Sequence, residues 1–324
     1  MARSVSAADV ARLAGVSGQT VSRVANGSER VDPATRARVE AAMAQLGYRP
    51  HRAARALRTG RSGTIGVLVR TLASVGNARM LEAVVAAGAA HGHAVLVMTL
   101  ADDTPDTAQA ALSALADQGV DGAIALNEAS PAARTAGSGA FPLVTVDAAP
   151  GDGSVAIESD HAGGAAEAVA HLLSAGRATV HHLAGPAGSY AASERERGWR
   201  EALAAAGVAA PDPLRGDWSA RSGYLRGREL ADRLGPGDAV FVANDQMALG
   251  LLRALGETAR AGVAVIGFDD VADAADYRPP LTTVAQDFDA LGETAVRLLL
   301  DRVAGRETPA RTVVPTRLVR RESA

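Results

Sequence analysis

The strongest constraint in this chain lies at Asp9–Gly27, where Val10, Leu13 and Ala14, and then Val21 and Val24, recur at helical spacing on either side of Gly15. Apolar residues three and four apart make one face of a helix, and a glycine between two such faces permits a tight turn, so the stretch reads as a helix-turn-helix. Ser17 stands where it can cap the second helix, and Val16 and Val21 fall at the two positions of a hydrophobic staple, which fixes how the chain enters that helix. Gly18, Gln19, Ser22 and Arg23 fall on the side away from Val21 and Val24, and Gln19 and Arg23, four apart, share one outward face. Amide and guanidinium groups there suit base edges in a major groove. A solvated face in an ordinary helical hairpin accounts for the local pattern equally well.

What flanks this stretch adds to it. Ser6 to Asp9 has the form of a capping box, and Asp32-Pro33 supplies a cap and a first-turn proline for a third helix, whose stripe of Val39, Ala42, Met43 and Leu46 stops at Gly47. The expectation is a three-helix head over residues 1–47. The next segment, 48–62, runs from Tyr48 through Ala54 and Leu57 to Ser62, rich in arginine and with little for Leu57 to pack against, so a helix there is marginal alone. It reads either as a basic linker or as a hinge that orders on DNA.

The net charge of -3 hides an asymmetry: the first 62 residues carry eleven arginines against Asp9, Glu29, Asp32 and Glu40, a balance of +7, which leaves -10 on the remainder. A basic head on an acidic body points to nucleic-acid contact through the head. Lysine is absent, and the planar fork of arginine favours phosphate and guanine contacts wherever it clusters. Without cysteine there are no disulfides or thiolate metal sites, and no apolar leader or membrane-length run is present, so a cytoplasmic location with no membrane partner is expected.

From Thr64 onward, apolar runs alternate with helical patterns at 65–69, 94–100, 122–126, 143–146, 179–183, 239–243 and 263–268. Runs of that kind, buried on both faces and separated by helix-length segments, predict parallel sheets with crossover helices, an α/β class with two doubly wound halves. The divide falls near Ser159–His161, and the segments from about Asp287 return to the first half. The expected core therefore spans 63–324, with one lobe at about 63–160 plus 288–313 and the other at about 161–287 plus 314–324.

Ligands of open parallel sheets bind beyond the carboxyl ends of the strands. Asp147, Asn244-Asp245 and Asp269-Asp270 stand at such ends, Arg195 lies in the helix after Leu183-Ala184-Gly185-Pro186, and Trp218 could offer an apolar face to a sugar ring. Carboxylates, an amide and an arginine in one cleft suit a polyhydroxylated ligand, although caps and surface ion pairs explain each residue singly. Catalytic readings are weaker. His181-His182 point to opposite faces of one strand, Gly185–Ser189 lacks the lysine of a phosphate loop, and Asp269-Asp270 are neighbours that seldom face one bond together. No catalytic residue, metal ligand or cofactor is assigned.

Several segments carry a resemblance to the LacI family of transcriptional regulators along essentially the whole chain. They are Asp9–Gly27, Gly47-Tyr48-Arg49-Pro50, Leu57, Gly216–Ala220, Val242–Gly250 and Pro280–Phe288. The resemblance implies a helix-turn-helix head, a hinge helix and a two-lobed core of the periplasmic-binding-protein type. It implies a homodimer on double-stranded operator DNA, and a sugar effector, a β-galactoside or related β-glycoside, that weakens operator binding. By position, Ser17, Gln19, Thr20, Ser22, Arg23, Asn26, Tyr48, Ala54 and Leu57 would contact DNA, with Leu57 wedging the central base step. Asp147, Arg195, Trp218, Asn244, Asp269 and Gln286 would line the effector site. Gly18 stands where an aromatic base contact is expected, and Ala89 where an acidic residue is expected. No leucine heptads precede Ala324, so a dimer is expected over a tetramer. A sugar-binding transport protein or a carbohydrate-active enzyme on the same core are the competing readings. The first is disfavoured by the basic head, the second by the lack of a catalytic pair.

Overall fold

The computed structural model describes residues 5–25, 28, 30–48, 60–137, 139, 141–149, 155–235, 237–258 and 262–324, in two units, Met1–Gly63 and Thr64–Ala324. In the first unit, helices α1 (Ala7–Ala14), α2 (Gly18–Ala25) and α3 (Pro33–Leu46) begin and end where their local chemistry dictates. Ser6 Oγ accepts from the Asp9 amide at 3.3 Å while Asp9 Oδ2 accepts from the Ser6 amide at 3.0 Å, a reciprocal capping box. Asp32 accepts from the Thr35 amide at 3.0 Å, and Gly15 and Gly47 close α1 and α3 in the left-handed region at φ 64° and 62°. Val10, Val21, Val24 and Val39 are buried together, with Val16, Met43, Leu46 and Tyr48 packed around them. Leu13 does not join them and is 46% exposed. The buried stripe of α1 is Val10, Ala11 and Ala14, and at about 100° per residue Leu13 is turned well off its centre.

The second unit begins with β1 (Thr64–Val69), α4 (Val75–Ala90), β2 (Ala94–Thr99), α5 (Pro105–Asp117), β3 (Gly122–Leu126), α6 (Ala129–Ala136), β4 (Leu143–Val146) and β5 (Val155–Ser159). It continues through α7 (His161–Ser174), β6 (Val180–Ala184), α8 (Tyr190–Ala205), β7 (Leu214–Arg215), α9 (Ala220–Ala231), β8 (Ala239–Val242), α10 (Asp245–Gly256), β9 (Ala264–Asp269) and β10 (Thr282–Ala285), and ends with α11 (Phe288–Val303), β11 (Arg311–Val314) and β12 (Arg317–Val319). Among the described residues, one sheet has the order β11-β5-β4-β3-β1-β2 and the other β12-β10-β9-β8-β6-β7. All pairings are parallel except that of β12 with β10. The five strands that apolar runs did not reveal are β5, β7, β10, β11 and β12. Glu158 interrupts β5, β7 is two residues long, β10 opens on Thr282-Thr283, and the edge strands β11 and β12 carry Arg311 and Arg317. Such strands are held by lateral pairing and give little apolar signal of their own.

The chain passes between the lobes three times, at Asp160, after β10, and between β11 and β12. The crossings are tied to one another: the Asp160 amide donates to Val314 O at 2.8 Å and Thr316 Oγ1 donates to Asp160 O at 3.1 Å. Asp160 and Asp287 also cap α7 and α11. The core of the first lobe is mostly aliphatic, built on Ile65, Ile124, Leu126, Ile157 and Leu299 with Phe288 its one aromatic member, whereas one layer of the second packs Trp199, Phe241 and Phe268 together. Among the described residues no helix is long and apolar enough to cross a membrane.

Candidate functional site

The carboxyl ends of the strands of both lobes converge on one cleft. A cavity of about 50 Å3 there is lined by Asp147, Arg195, Trp218, Asn244, Asp269 and Gln286 together. Of the adjacent pairs Asn244-Asp245 and Asp269-Asp270, only the first member of each lines it. Asp245 turns inward, accepting from Thr283 Oγ1 at 2.6 Å and the Val271 amide at 2.9 Å, and Asp270 pairs with Arg321 at 2.7 Å. The backbone is unusual at these strand ends: Asn127, Asp147, Trp218, Asp269 and Asp270 are the non-glycine residues at positive φ among those described. That conformation costs energy for most side chains and persists where the surroundings over-determine it, a pattern common at ligand clamps.

Arg195 is the centre of the cleft. It is 4% exposed, and its guanidinium carbon lies 3.8 Å from the Phe268 ring centroid. Its Nε donates to His161 Nδ1 at 3.3 Å, Nη1 donates to Ala243 O, and Nη2 pairs with Asp269 at 3.4 Å. His161 in turn sets Nε2 2.9 Å from Asp147 Oδ1, so one imidazole connects a carboxylate of the first lobe to the arginine of the second. Gln286 makes a second such connection, accepting from Ser159 Oγ at 2.6 Å and donating to Asp269 at 2.6 Å. Asn244 caps α10 through Met247 and donates to Trp218 O at 3.0 Å, while the Trp218 ring covers Gly185, where a Cβ would stand 2.3 Å from it.

The two cleft aspartates answer differently to burial. Burial works to raise Asp147, but His161 and then Arg195 outweigh it and hold the carboxyl below its ordinary range. For Asp269 burial prevails over Arg195 and the bond from Gln286, and the carboxyl stands above its ordinary range. One guanidinium faces two carboxylates, with Glu128 on the same wall, so the cleft has no surplus positive charge. It offers carboxylate and amide acceptors, guanidinium donors and an indole face.

Strand-end reasoning missed Asn77, Asn127, Glu128, Ser159, His161, Ser189 and Tyr190, which lie in or beside the cavity. Asn77 donates to Glu128 at 3.1 Å and to Thr71 O at 2.9 Å, and accepts from Asn127. Asn127 and Glu128 follow β3, so the rule that found Asp147 would have found them had it been applied to that strand. Ser159 ends a strand that carried no apolar signal, and His161 and Tyr190 open helices. The two adjacent histidines part as expected for one strand: His181 meets Asp238 at 3.0 Å, and His182 stacks on Phe241 with centroids 5.0 Å apart.

In the head, Ser17, Gln19, Ser22 and Arg23 are exposed and Thr20 is half-buried. Ser17 Oγ accepts from the Thr20 amide at 3.1 Å and lies 3.0 Å from Thr20 Oγ1, so both hydroxyls serve the start of α2. Tyr48 is half-buried against the head core. Asn26, Ala54 and Leu57 lie outside the described residues.

Comparison with known proteins places both units. The model of bacterial regulatory proteins of the lacI family matches residues 7–51, and that of periplasmic binding protein-like domains matches residues 169–324. The lactose operon repressor of Escherichia coli (strain K12) is 36% identical over 321 residues, covering 97% of this chain and 89% of that protein. The HTH-type transcriptional regulator CelR of Thermobifida fusca is 38% identical over 332 residues, with coverages of 97% and 96%. The Lac repressor dimer bound to operator and the anti-inducer ONPF matches with a TM-score of 0.88 at 35% identity over 99% of both chains. The CelR–cellobiose complex matches with a TM-score of 0.72 at 34% identity, over 99% of this chain and 100% of the other.

Proposed function

We propose that this chain, which belongs to the LacI family of bacterial regulatory proteins, takes a neutral β-linked sugar in its interlobe cleft, a β-galactoside or a related β-glycoside. As a member of that family it is a DNA-binding transcriptional repressor controlled by a small-molecule effector. The observation that carries the sugar is Arg195, buried between Asp147 and Asp269 with no surplus positive charge. A phosphorylated ligand would bring charge that nothing in the cleft neutralises, whereas hydroxyls donate to the carboxylates and accept from the guanidinium. The choice of a β-linkage rests on relatives: the Lac repressor has been solved with ONPG and CelR with cellobiose.

On the DNA side, Gln19 and Arg23 read base edges, Ser17, Thr20, Ser22, Asn26 and Tyr48 position α2 on the duplex, and Ala54 and Leu57 act at the centre of the site, Leu57 as a wedge. Two copies are needed to read two half-sites, as in the Lac repressor dimer on its operator. Exposed Val85 and Val97 on the first lobe and Leu225 and Leu249 on the second supply apolar surface for a partner copy.

Calorimetry on the full chain with lactose, cellobiose and glucose 6-phosphate tests the effector reading. Heat from a neutral glycoside is expected, lost in Arg195→Ala. Tight binding of the phosphate with no response to the neutral sugars overturns it.

A further inference from the structure

Behind Asp269 stands a buried carboxylate that does not line the cleft. Strand β9 ends in a corner where two successive residues take left-handed backbone, Asp269 at φ 114° and Asp270 at φ 52°. Such conformations are costly where a Cβ is present and persist only where neighbours fix them. Two groups fix this corner. Asp245, the first residue of α10, is fully buried, and its Oδ2 accepts at 2.9 Å from the amide of Val271, the residue that leaves the corner. Its Oδ1 accepts from Thr283 Oγ1 on β10 at 2.6 Å. Gly267 gives this carboxylate room, since a Cβ there would run into Asp245 Oδ1. Arg321 holds the middle of the corner: it pairs with Asp270 at 2.7 Å and donates to Leu281 O at 2.8 Å, while its own amide donates to Thr282 Oγ1 at 2.9 Å. With the corner so held, Asp269 meets Gln286 at 2.6 Å and Arg195 at 3.4 Å.

The first lobe carries no such device at the matching place. Glu128, which follows Asn127 as Asp245 follows Asn244, accepts from Asn77 at 3.1 Å. Asp147 is held directly instead, by the Ser159 amide on its Oδ1 at 3.3 Å and by its own amide on Ile157 O at 2.9 Å. Nor does Asp245 serve by its charge. Burial, and then the charge of Asp269, push its carboxyl well above the ordinary range, against the bonds from Thr283 and Val271. What it supplies is a pair of acceptors in fixed positions, without which the Val271 amide loses its partner. We propose that Asp245 and Arg321 are positioning residues that clamp the Asp269-Asp270 corner, so that Asp269 faces the cleft and effector affinity is set by two groups that do not touch the effector. This rests on the reading of Asp269 as an effector contact.

The test titrates the full-length protein calorimetrically with lactose and cellobiose, and follows amide exchange at residues 269–271 without ligand. Asp245→Ala is expected to bind the responding sugar about tenfold more weakly or worse, and to exchange faster at 269–271 while β6 and β8 keep their protection. Asp245→Asn is expected to restore most of both, because its amide can accept from Val271 and donate to Thr283 Oγ1. Since the clamp acts through Asp269, adding Asp245→Ala to Asp269→Asn is expected to cost less than about threefold more. Arg321→Met, at a half-buried side chain, is expected to weaken binding about threefold and to carry the decision if Asp245→Ala does not fold. Parental affinity in these variants, or a loss in Asp245→Ala that persists undiminished beside Asp269→Asn, overturns the clamp. If neither sugar binds the parent protein, the sugar reading fails, and unchanged exchange at 269–271 in Asp245→Ala, or in Arg321→Met should the former not fold, overturns the clamp on its own.

Discussion

The two lobes repeat one strand order, with β1 to β5 standing as β6 to β10 stand, and equivalent strand ends therefore carry equivalent residue types. Asn127 follows β3 as Asn244 follows β8, and Asp147 follows β4 as Asp269 ends β9. The chemistry is nevertheless unlike. Asp147 is held below its ordinary range and Asp269 above it, because His161 faces the first while burial beside Phe268 dominates the second. Asn244 sits at φ -154° and caps α10, whereas Asn127 is at φ 48° and donates to Asn77. Topology selects the position of a cleft residue, and its neighbours select its charge and its partners. Among the described residues the one buried guanidinium, that of Arg195, lies in the second lobe, against its aromatic layer.

The largest expected effect comes from removing that guanidinium. Arg195→Met leaves Asp269 and Asp147 buried beside an apolar side chain, and breaking a buried pair in this way costs about 3–5 kcal/mol. Urea denaturation that returned a loss below about 1 kcal/mol would erase the contrast between the lobes.

A second test is acid stability. Burial pushes His182 down to about 4 from an ordinary 6.5, so the unfolded chain binds its proton first as pH falls. Stability from this group is complete above 6.5 and is lost as pH falls toward 4, by about 3 kcal/mol at 1.36 kcal/mol per unit. In His182→Gln, whose amide can still donate to Phe241 O, the slope of stability between pH 6.5 and 4 should flatten. An unchanged slope would place the acid sensitivity elsewhere.

The smallest effect separates the two asparagines. Asn244→Ala removes a helix cap and should cost about 1 kcal/mol. Asn127→Gly should be close to neutral by thermal shift, since glycine accepts φ 48° freely and the buried, unpartnered Oδ1 is removed with the bond to Asn77. Equal losses would mean that the equivalent positions do equivalent work.

Much of the candidate site was legible because carboxyl ends of parallel strands can be located from apolar runs. Asp147, Asn244 and Asp269 follow such runs and all reach the cavity. Gln286 came from family resemblance alone, since β10 opens on threonines and gives no run. His161 was not legible: it resembles an ordinary helix-start residue until Asp147 across the cleft is known.

The sequence by itself determined the head's helix boundaries, its basic charge and the alternation of the core, because caps, staples and buried runs act over a few residues. Ser6 meets Asp9 and Asp32 meets Thr35 whatever the rest of the chain does. Only the tertiary structure decided which member of Asn244-Asp245 and of Asp269-Asp270 faces the cleft, which carboxyl rises and which falls, and how the lobes are fastened. Those outcomes depend on groups far apart in the chain, Gln286 with Ser159 at a separation of 127 residues and Thr316 with Asp160 at 156, brought together by sheet pairing and crossing strands. Burial and charge pairing act through space, so no local pattern records them.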